Sequence, residues 1–253
     1  RFYGTPAEEG GSGNVYKVRA GLFDDVDAVL HWHPSHVNAA NAESSNSNKS
    51  AKFKFSGISA HAAGSADKGR SALDGVEAMN MMVNMMREHI PQESRIHYVI
   101  TKGGLAPNVI PDEAEVYYYV RHPKETKVNE IFDWVVRASE GAALGTETSV
   151  THEVMHGNYS KLPNHVLQKI MHKNLVARGG IEYSKEETEY AKELYKTMVN
   201  PNGKIGDQEK IRPFTSSHTY GSTDVGDVSW VVPQACLLYT SDAADERSSV
   251  DLG

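Results

Sequence analysis

Residues 114–121, AEVYYYVR, alternate strictly between two sets of side chains. One set is Val116, Tyr118 and Val120, and the other is Tyr117, Tyr119 and Arg121. Because successive side chains of a β-strand point to opposite faces of a sheet, this period of two predicts a strand with one apolar and one more polar face. The rest of the central segment can be built outward from this strand.

Three further segments alternate in the same way, and two helical segments separate them. The strands are predicted at KFKFSG (52–57), IHYVIT (96–101) and TSVTHEVMHG (148–157). Apolar residues spaced by three and four predict helices within residues 71–90 and 127–144. The order strand–helix–strand–strand–helix–strand is that of the ferredoxin-like fold. Residues 50–157 are therefore predicted to form one α+β unit, a four-stranded antiparallel sheet with two helices on one face.

The flanking segments predict a second, α/β domain that the first one interrupts. An apolar strand, DAVLHWHP (27–34), precedes the insertion, and helical stretches at about 163–178 and 185–199 follow it. The predicted domains are 1–49 and 158–235 for the outer domain and 50–157 for the inserted one. Residues 236–253 lose all periodicity, so they are expected to be a non-native tail that packs poorly and takes no part in a sheet. The beginning of the outer domain is expected to be missing.

Composition narrows the function classes. The 253 residues carry a net charge of −7, which argues against a nucleic-acid-binding protein. No apolar run approaches the roughly 20 residues of a membrane span, so no membrane partner is expected. The one cysteine, Cys236, fits a reducing, cytoplasmic location. Twelve histidines favour metal or acid–base chemistry.

Two adjacent glutamates, Glu8 and Glu9, lie in the loop GTPAEEGGSGN (4–14). They fit either a solvated loop or a metal site, in which one carboxylate binds a cation and its neighbour holds the attacking water. His31 and His33 stand two apart on a predicted strand and so point the same way, as metal ligands or as hydrogen-bonded histidines. Two such residues do not complete a catalytic zinc site, which takes about three protein ligands.

The inserted segment carries three further candidates. His61 lies in a loop of small residues after the first strand, where a histidine is often simply exposed. Asn108 lies in a loop rich in Gly and Pro, and Arg121 on the polar side of the following strand. An arginine near an asparagine suits recognition of a carboxylate, and the alternative for Arg121 is a surface ion pair.

Five motifs, in this order and spacing, carry a family resemblance. They are GTPAEEGGSGN (4–14), WHP (32–34), GISAHAAGSADKGRSALDGVEAMN (57–80), GGLAPNVIPDEAEVYYYVR (103–121) and STDVGDVSW (222–230). Together they resemble the aminoacylase/carboxypeptidase-type metallo-amidohydrolases from about residue 1 to residue 235. The resemblance implies an α/β, zinc-peptidase-like catalytic domain with two divalent metal ions, zinc or manganese. It also implies an inserted ferredoxin-like lid that dimerises.

The resemblance assigns a role to each matching residue. Glu8 matches the general base, Glu9 and His33 match metal ligands, and His61 matches a lid histidine that supports the oxyanion in a partner subunit's active site. Asn108 and Arg121 match contacts to the substrate carboxylate, and Thr223 and Asp224 match a segment of the substrate pocket. Glu8, Glu9 and His33 are expected to converge, and His61 to lie too far from Glu8 of its own chain to share a substrate. Further ligands of the family fall upstream of Glu8 and downstream of residue 230, so the chain itself is expected to be inactive.

The implied reaction is hydrolysis of the amide bond of a small N-acyl amino acid, with glutamate as the expected leaving amino acid. A dipeptidase, an N-acyl-amino-acid deacylase of the same family and a non-catalytic dimerisation subunit remain open. A homodimer through the lid is expected, and the need for a second, different subunit is left open.

Overall fold

The structure, a computed structural model, describes residues 1–201 and 203–240. The helices are α1 (Gly13–Arg19), α2 (Ala72–Met86), α3 (Glu125–Gly145), α4 (His165–Arg178), α5 (Lys185–Tyr195) and α6 (Val225–Ser229). The strands are β1 (Val29–Ser35), β2 (Ala42–Ser44), β3 (Ser47–Ser56), β4 (Arg95–Lys102), β5 (Glu113–His122), β6 (Ser149–Asn158), β7 (Ser216–His218) and β8 (Gln234–Thr240). None of the helices in these ranges is both long and apolar enough to cross a membrane.

The described chain divides into two compact units. The first comprises residues 1–21, 45–161 and 219–227. The second comprises residues 22–44, 162–218 and the described residues from 228 onward. This division groups the N-terminal residues with the inserted segment. The predicted domain boundaries, at residues 49, 157 and 235, stay a prediction.

The first unit is built on a four-stranded antiparallel sheet in the order β4-β5-β3-β6. Helices α2 and α3 pack against each other and against one face of this sheet. This is the strand order of the ferredoxin-like fold, so the predicted arrangement of four strands and two helices is confirmed. Strand β3 begins at Ser47 and β6 ends at Asn158, close to the predicted limits.

The core of the first unit lies between the sheet and the two helices. Phe53 and Tyr118, from the two central strands, are fully buried and meet edge to face with ring centroids 5.8 Å apart. The hydroxyl of Tyr118 donates a hydrogen bond to the side-chain oxygen of Asn80 on α2, which satisfies the polar end of this buried ring. Helix α2 begins at Ser71, whose Oγ accepts from the backbone N–H of Asp74 at 3.1 Å.

The second unit contains two short parallel strand pairs. Strand β1 pairs with β8 and β2 pairs with β7. Helix α4 packs against β8, and the side-chain amide of Gln168 donates to the carbonyl of Cys236 and accepts from its N–H, at 2.7 and 2.8 Å. Further along β8, Leu238 exchanges backbone hydrogen bonds with Ala39, at 2.8 and 2.9 Å.

Residues 236–240 correct one expectation. They continue β8, and their partners run from His31 to Ser35 on β1, so the prediction that residues beyond 235 take no part in a sheet is wrong for them. The strand is specified by distant partners rather than by a local pattern. Asn38, for example, accepts hydrogen bonds through Oδ1 from both the N–H and the hydroxyl of Thr240. The remainder of the expected tail, 241–253, lies outside the described residues.

Replacing Phe53 by alanine tests the central packing. Phe53 is fully buried and contacts Tyr118, Phe132 and His152, so its removal leaves a cavity. We expect Phe53→Ala to lower the free energy of opening of the sheet by about 3–5 kcal/mol. Native-state hydrogen exchange of the β5 backbone amides measures this quantity.

The matched control is Lys54→Ala. Lys54 follows Phe53 on the opposite face of β3, where it is exposed and 3.9 Å from Glu115. We expect this variant to change the same free energy by no more than about 0.5 kcal/mol. Equal effects of the two variants would contradict the assignment of the buried face.

Candidate active site

The two glutamates lie in a tight turn that ends directly before α1. The N–H of Gly11 donates to the carbonyl of Ala7 at 2.9 Å, and Ala7 adopts a left-handed conformation with φ of 56°. A Cβ on Gly13 would lie 2.1 Å from the carbonyl oxygen of Pro6, so only glycine fits there. The left-handed alanine costs on the order of 1 kcal/mol or more, and such strain is frequent at functional sites. Within this turn Glu8 is half-buried and Glu9 is exposed.

His33 is held in one tautomer. It is exposed on β1, and its Nδ1 lies 2.7 Å from the carbonyl oxygen of Pro34. A carbonyl oxygen only accepts, so Nδ1 must carry the proton and donate it. The lone pair of Nε2 is then left available. A metal-ligating histidine commonly has this arrangement, in which one ring nitrogen donates to a carbonyl and the other binds the cation.

His61 is held in the opposite tautomer. Its Nδ1 accepts hydrogen bonds from the backbone N–H groups of Ala63 and Gly64, at 3.2 and 3.0 Å. Because Nδ1 is the acceptor, the proton of the neutral ring lies on Nε2. The ring is exposed, so this Nε2–H can donate to a group outside the loop. A fixed N–H donor of this kind suits stabilisation of an oxyanion.

The loop of Asn108 packs beside that of His61. The carbonyl of Asn108 accepts from the N–H of Ala62 at 3.0 Å, and Val109 forms a β-bridge with His61. The two loops border a cavity of about 600 Å³ lined mainly by small and apolar residues. The structure therefore brings two of the predicted site residues, His61 and Asn108, into neighbouring backbone segments.

Arg121 lies on the sheet face opposite the helices, in β5. It is half-buried, and its Nε has no hydrogen-bond partner among the described residues. The residue directly across on β3 is Asn48, which is 3% exposed and whose Oδ1 also lacks a partner there. A buried polar atom left without a hydrogen bond costs about 1–3 kcal/mol. This pair of atoms is thus a place where a ligand would gain binding energy.

The loop of the glutamates meets the same face through Ser12. The Oγ of Ser12 lies 3.4 Å from Nδ1 of His156 on β6, and Nε2 of His156 lies 3.0 Å from the hydroxyl of Tyr119 on β5. Burial, followed by the hydrogen bond to Tyr117 and finally the charge of Glu9, raises the pKa of Tyr119 to about 12. Burial and then the positive charge of Arg121 lower the pKa of His156.

Sequence reasoning missed three residues of this face, Asn48, Tyr119 and His156, as candidate site residues. The signal that could have found Tyr119 is its alternation with the buried face, since it shares a side with Arg121. For Asn48 and His156 the signal is their register, which places them across from Arg121 and, through Ser50, beside Tyr119. Register depends on pairing with distant strands and cannot be read from one segment.

Thr223 and Asp224 are held by backbone and helix contacts. Asp224 is almost fully buried, and its two carboxylate oxygens accept from the N–H and the side-chain amide of Asn14, at 2.8 and 2.7 Å. The carbonyl of Thr223 accepts from the side-chain amide of Asn158 at 3.1 Å. These contacts attach residues 219–227 to α1 and β6. The predicted role of both residues in a substrate pocket stays a prediction.

The predicted metal ligands fit a divalent cation by chemistry but do not form a complete site. Glu9 offers an exposed carboxylate and His33 a free Nε2 lone pair, both common ligands of zinc and manganese. Within residues 1–201 and 203–240, no group of three or more histidine, cysteine or acidic side chains is placed to hold a metal ion. Glu8 and Glu9 belong to the first unit and His33 to the second, so their convergence stays a prediction.

Comparison with known families accounts for the inserted unit. A family model described as a peptidase dimerisation domain matches residues 44–147, which run from the end of β2 through α3. The chain contains a peptidase dimerisation domain. The ferredoxin-like sheet with its two helices is the body of this dimerisation domain.

Relatives extend the similarity beyond the dimerisation domain. The chain is 40% identical to one of the two subunits of the p-aminobenzoyl-glutamate hydrolase of Escherichia coli, over 93% of this chain and 54% of the relative. It is 30% identical to the Xaa-Arg dipeptidase of Mus musculus, over 91% of this chain and 47% of that protein. The chain thus spans about half the length of the curated relatives it matches.

A solved structure shows the same fold. The crystal structure of an aminobenzoyl-glutamate utilization protein from Klebsiella pneumoniae matches 94% of this chain and 56% of its own, with a TM-score of 0.64 at 19% identity. With the dimerisation domain and the relative from Escherichia coli, it confirms the family resemblance and the α/β fold class predicted from the motifs.

The tautomers of the two histidines can be measured directly. In two-bond ¹H–¹⁵N correlation spectra at neutral pH, we expect His33 to carry its proton on Nδ1 and His61 on Nε2, because of their backbone partners. His89 is exposed and has no hydrogen bond among the described residues, so it serves as the control and should show both tautomers. The same tautomer at positions 33 and 61 would contradict the assignment.

Histidine burial predicts a pH dependence of stability. Burial lowers the pKa values of His97, His122 and His156 from an ordinary value of 6.5. At pH values below about 6.5 the unfolded chain therefore binds more protons than the folded chain, and stability falls as the pH falls. We expect the urea midpoint to decrease between about pH 7.5 and 5.5.

Two variants separate this effect from general destabilisation. His156→Gln is expected to flatten the dependence of the urea midpoint on pH, because it removes one group that must stay neutral when folded. His89→Gln removes an exposed imidazole from the same unit and is expected to keep the original slope. A steeper slope in His156→Gln would show that this histidine is not buried in its neutral form.

Proposed function

We propose that this chain is part of a metal-dependent enzyme that hydrolyses the amide bond of an N-acyl amino acid, with p-aminobenzoyl-glutamate as the model substrate. The 40% identity to a subunit of a hydrolase of that name, over 93% of the chain, supports the substrate. The observation that carries the chemistry is the opposite tautomers of His33 and His61. One offers a lone pair to a cation, and the other an N–H to an oxyanion.

Each residue has a defined task in this proposal. Glu8 takes a proton from the attacking water and passes it to the leaving amine. Glu9 and His33 would hold one of two divalent ions, zinc or manganese, which when bound lower the pKa of a water molecule toward neutrality. The Nε2–H of His61 stabilises the negative charge that develops on the carbonyl oxygen. Asn108 and Arg121 contact the carboxylate of the substrate, and Thr223 and Asp224 border it.

The enzyme is proposed to be a dimer through the dimerisation domain. Strand β4 is an edge of the sheet, and its Val99 is 55% exposed. Met81 and Met85 of α2 are 60% and 64% exposed. An open strand edge beside exposed apolar side chains favours pairing with a second copy. The two differently named subunits of the Escherichia coli hydrolase also favour a second, different subunit in the complete enzyme.

The alternatives are a dipeptidase or N-acyl-amino-acid deacylase and a non-catalytic dimerisation subunit. Identity of 30% to an Xaa-Arg dipeptidase over 91% of the chain favours the first. The presence of Glu8, the proposed general base, argues against a non-catalytic subunit. A cytoplasmic location is proposed because the single cysteine makes no internal disulfide.

Subunit mixing in the full-length protein tests the proposal. Glu8→Ala is expected to lower kcat for p-aminobenzoyl-glutamate by about 10²–10⁴-fold, because it removes the general base. His61→Ala is expected to lower it by about 10²–10³-fold, because it removes an oxyanion donor. If each site uses Glu8 of one chain and His61 of the other, an equal mixture should recover about a quarter of the wild-type activity.

Mixed dimers must be shown to form, for example with two affinity tags purified in succession. Mixing Glu8→Ala with Glu8→Gln is the control, since no combination of these chains restores the base. No recovery in proven mixed dimers would place His61 in the active site of its own chain. Full activity of Glu8→Ala alone would remove the proposed hydrolysis mechanism.

A further inference from the structure

One row of the four-stranded sheet places polar side chains side by side across all four strands. The row consists of Arg95 on β4, Arg121 on β5, Asn48 on β3 and Asn158 on β6, which are successive Cα partners. The neighbouring row contains the buried pair Ile96 and Val120, which face the helices. Alternation therefore puts the polar row on the opposite, open face.

The two arginines of this row stand directly opposite each other without an acidic partner. Neither forms an ion pair with a carboxylate within residues 1–201 and 203–240. Like charges opposite each other on neighbouring strands are destabilising. The positive field is felt by the adjacent His97, whose pKa is lowered by burial and by the charges of Arg121, Arg87 and Arg95. This part of the face is prepared for an anion.

Arg95 is held so that one edge of its guanidinium is open. Its Nη1 donates to the carbonyl oxygens of Gln92 and Ser94, at 2.9 and 2.7 Å, and its Cζ lies 4.8 Å from the centre of the Tyr220 ring. The Nε and Nη2 donors have no hydrogen-bond partner in the part of the chain that the structure describes. These two donors form the edge that binds a carboxylate in a bidentate manner.

The neighbouring atoms select the remainder of the ligand. Arg121 offers a buried Nε–H that lacks an acceptor, and Asn48 offers a buried Oδ1 that lacks a donor, among the described residues. An N-acyl amino acid carries both complementary groups one carbon apart, a carboxylate and an amide N–H. Arg95 adds a second cationic site next to the first, which suits a second carboxylate on the same ligand.

We propose that Arg95, together with Arg121 and Asn48, forms a subsite that selects N-acyl amino acids with an acidic side chain. Arg121 binds the α-carboxylate, Asn48 accepts from the amide N–H, and Arg95 pairs with the side-chain carboxylate. The subsite rests on the proposed function for its catalytic use, but its ligand preference is a property of binding alone. It disfavours a cationic side chain, which two arginines without acidic partners would repel.

Binding of matched probes to this chain tests the subsite. N-acetyl-glutamate and N-acetyl-glutamine differ only in a side-chain carboxylate against an amide, and NMR titration of the ¹⁵N-labelled chain measures both affinities. We expect the glutamate ligand to bind about 10- to 100-fold more tightly. Arg95→Gln should abolish this preference while keeping the affinity for N-acetyl-glutamine. Arg121→Gln should weaken both ligands.

Two further variants separate the individual contacts. Arg137→Gln removes an exposed charge on α3, so it should keep the preference. Asn48→Ala should weaken both N-acetyl amino acids and leave the binding of glutarate, which has no amide N–H, unchanged. Equal affinities in the original chain, no binding of either ligand at millimolar concentration, or a preference that survives Arg95→Gln would each overturn the subsite.

The full-length enzyme distinguishes this failure from failure of the proposed function. An enzyme that hydrolyses N-acyl-glutamate and N-acyl-glutamine with equal kcat/KM, unaffected by Arg95→Gln, keeps the function and loses the subsite. A chain that shows the binding preference, from a full-length protein that hydrolyses neither compound, keeps the subsite and loses the function.

Discussion

The alternation of side chains along β3 and β5 is the constraint on which the first unit depends. These two central strands send Phe53 and Tyr118 toward the helices and Asn48 and Arg121 to the other face. A shift of register by one residue would exchange the two faces, exposing the core and burying the arginine. The same pairing that stabilises the fold therefore sets the positions of the polar groups proposed to bind the ligand.

The sequence predicts most of this unit because its signals are local. Alternation in residues 114–121 and helical spacing in residues 71–90 survive in the structure as β5 and α2. The strand at residues 236–240 was missed because it is specified at a distance, by β1, Gln168 and Asn38. For the candidate site, residue types and motifs identify His33 and His61. Their opposite tautomers are set by backbone groups at residues 34, 63 and 64, and no pattern of residue types reports that geometry.

The two histidines illustrate how little chemistry residue identity alone determines. Both are exposed imidazoles beside backbone polar groups, but one meets a carbonyl and the other meets two N–H groups. A donor and an acceptor therefore arise from the same side chain, without a charged neighbour to define either. The strained turn at Ala7 acts in a similar way on Glu8 and Glu9, because it fixes the backbone that carries two otherwise mobile carboxylates.

The contacts along β8 also bear on self-association. In a strand, alternate residues turn their N–H and carbonyl groups to the same side, and β8 presents residues 236, 238 and 240 to the side away from β1. Cys236 is bound there by the amide of Gln168, Leu238 by the backbone of Ala39, and Thr240 by Oδ1 of Asn38. A side-chain amide that both donates and accepts imitates one residue of a neighbouring strand. The edge of β8 is thus occupied at each of these positions, which protects it against the edge-to-edge aggregation that an open strand invites.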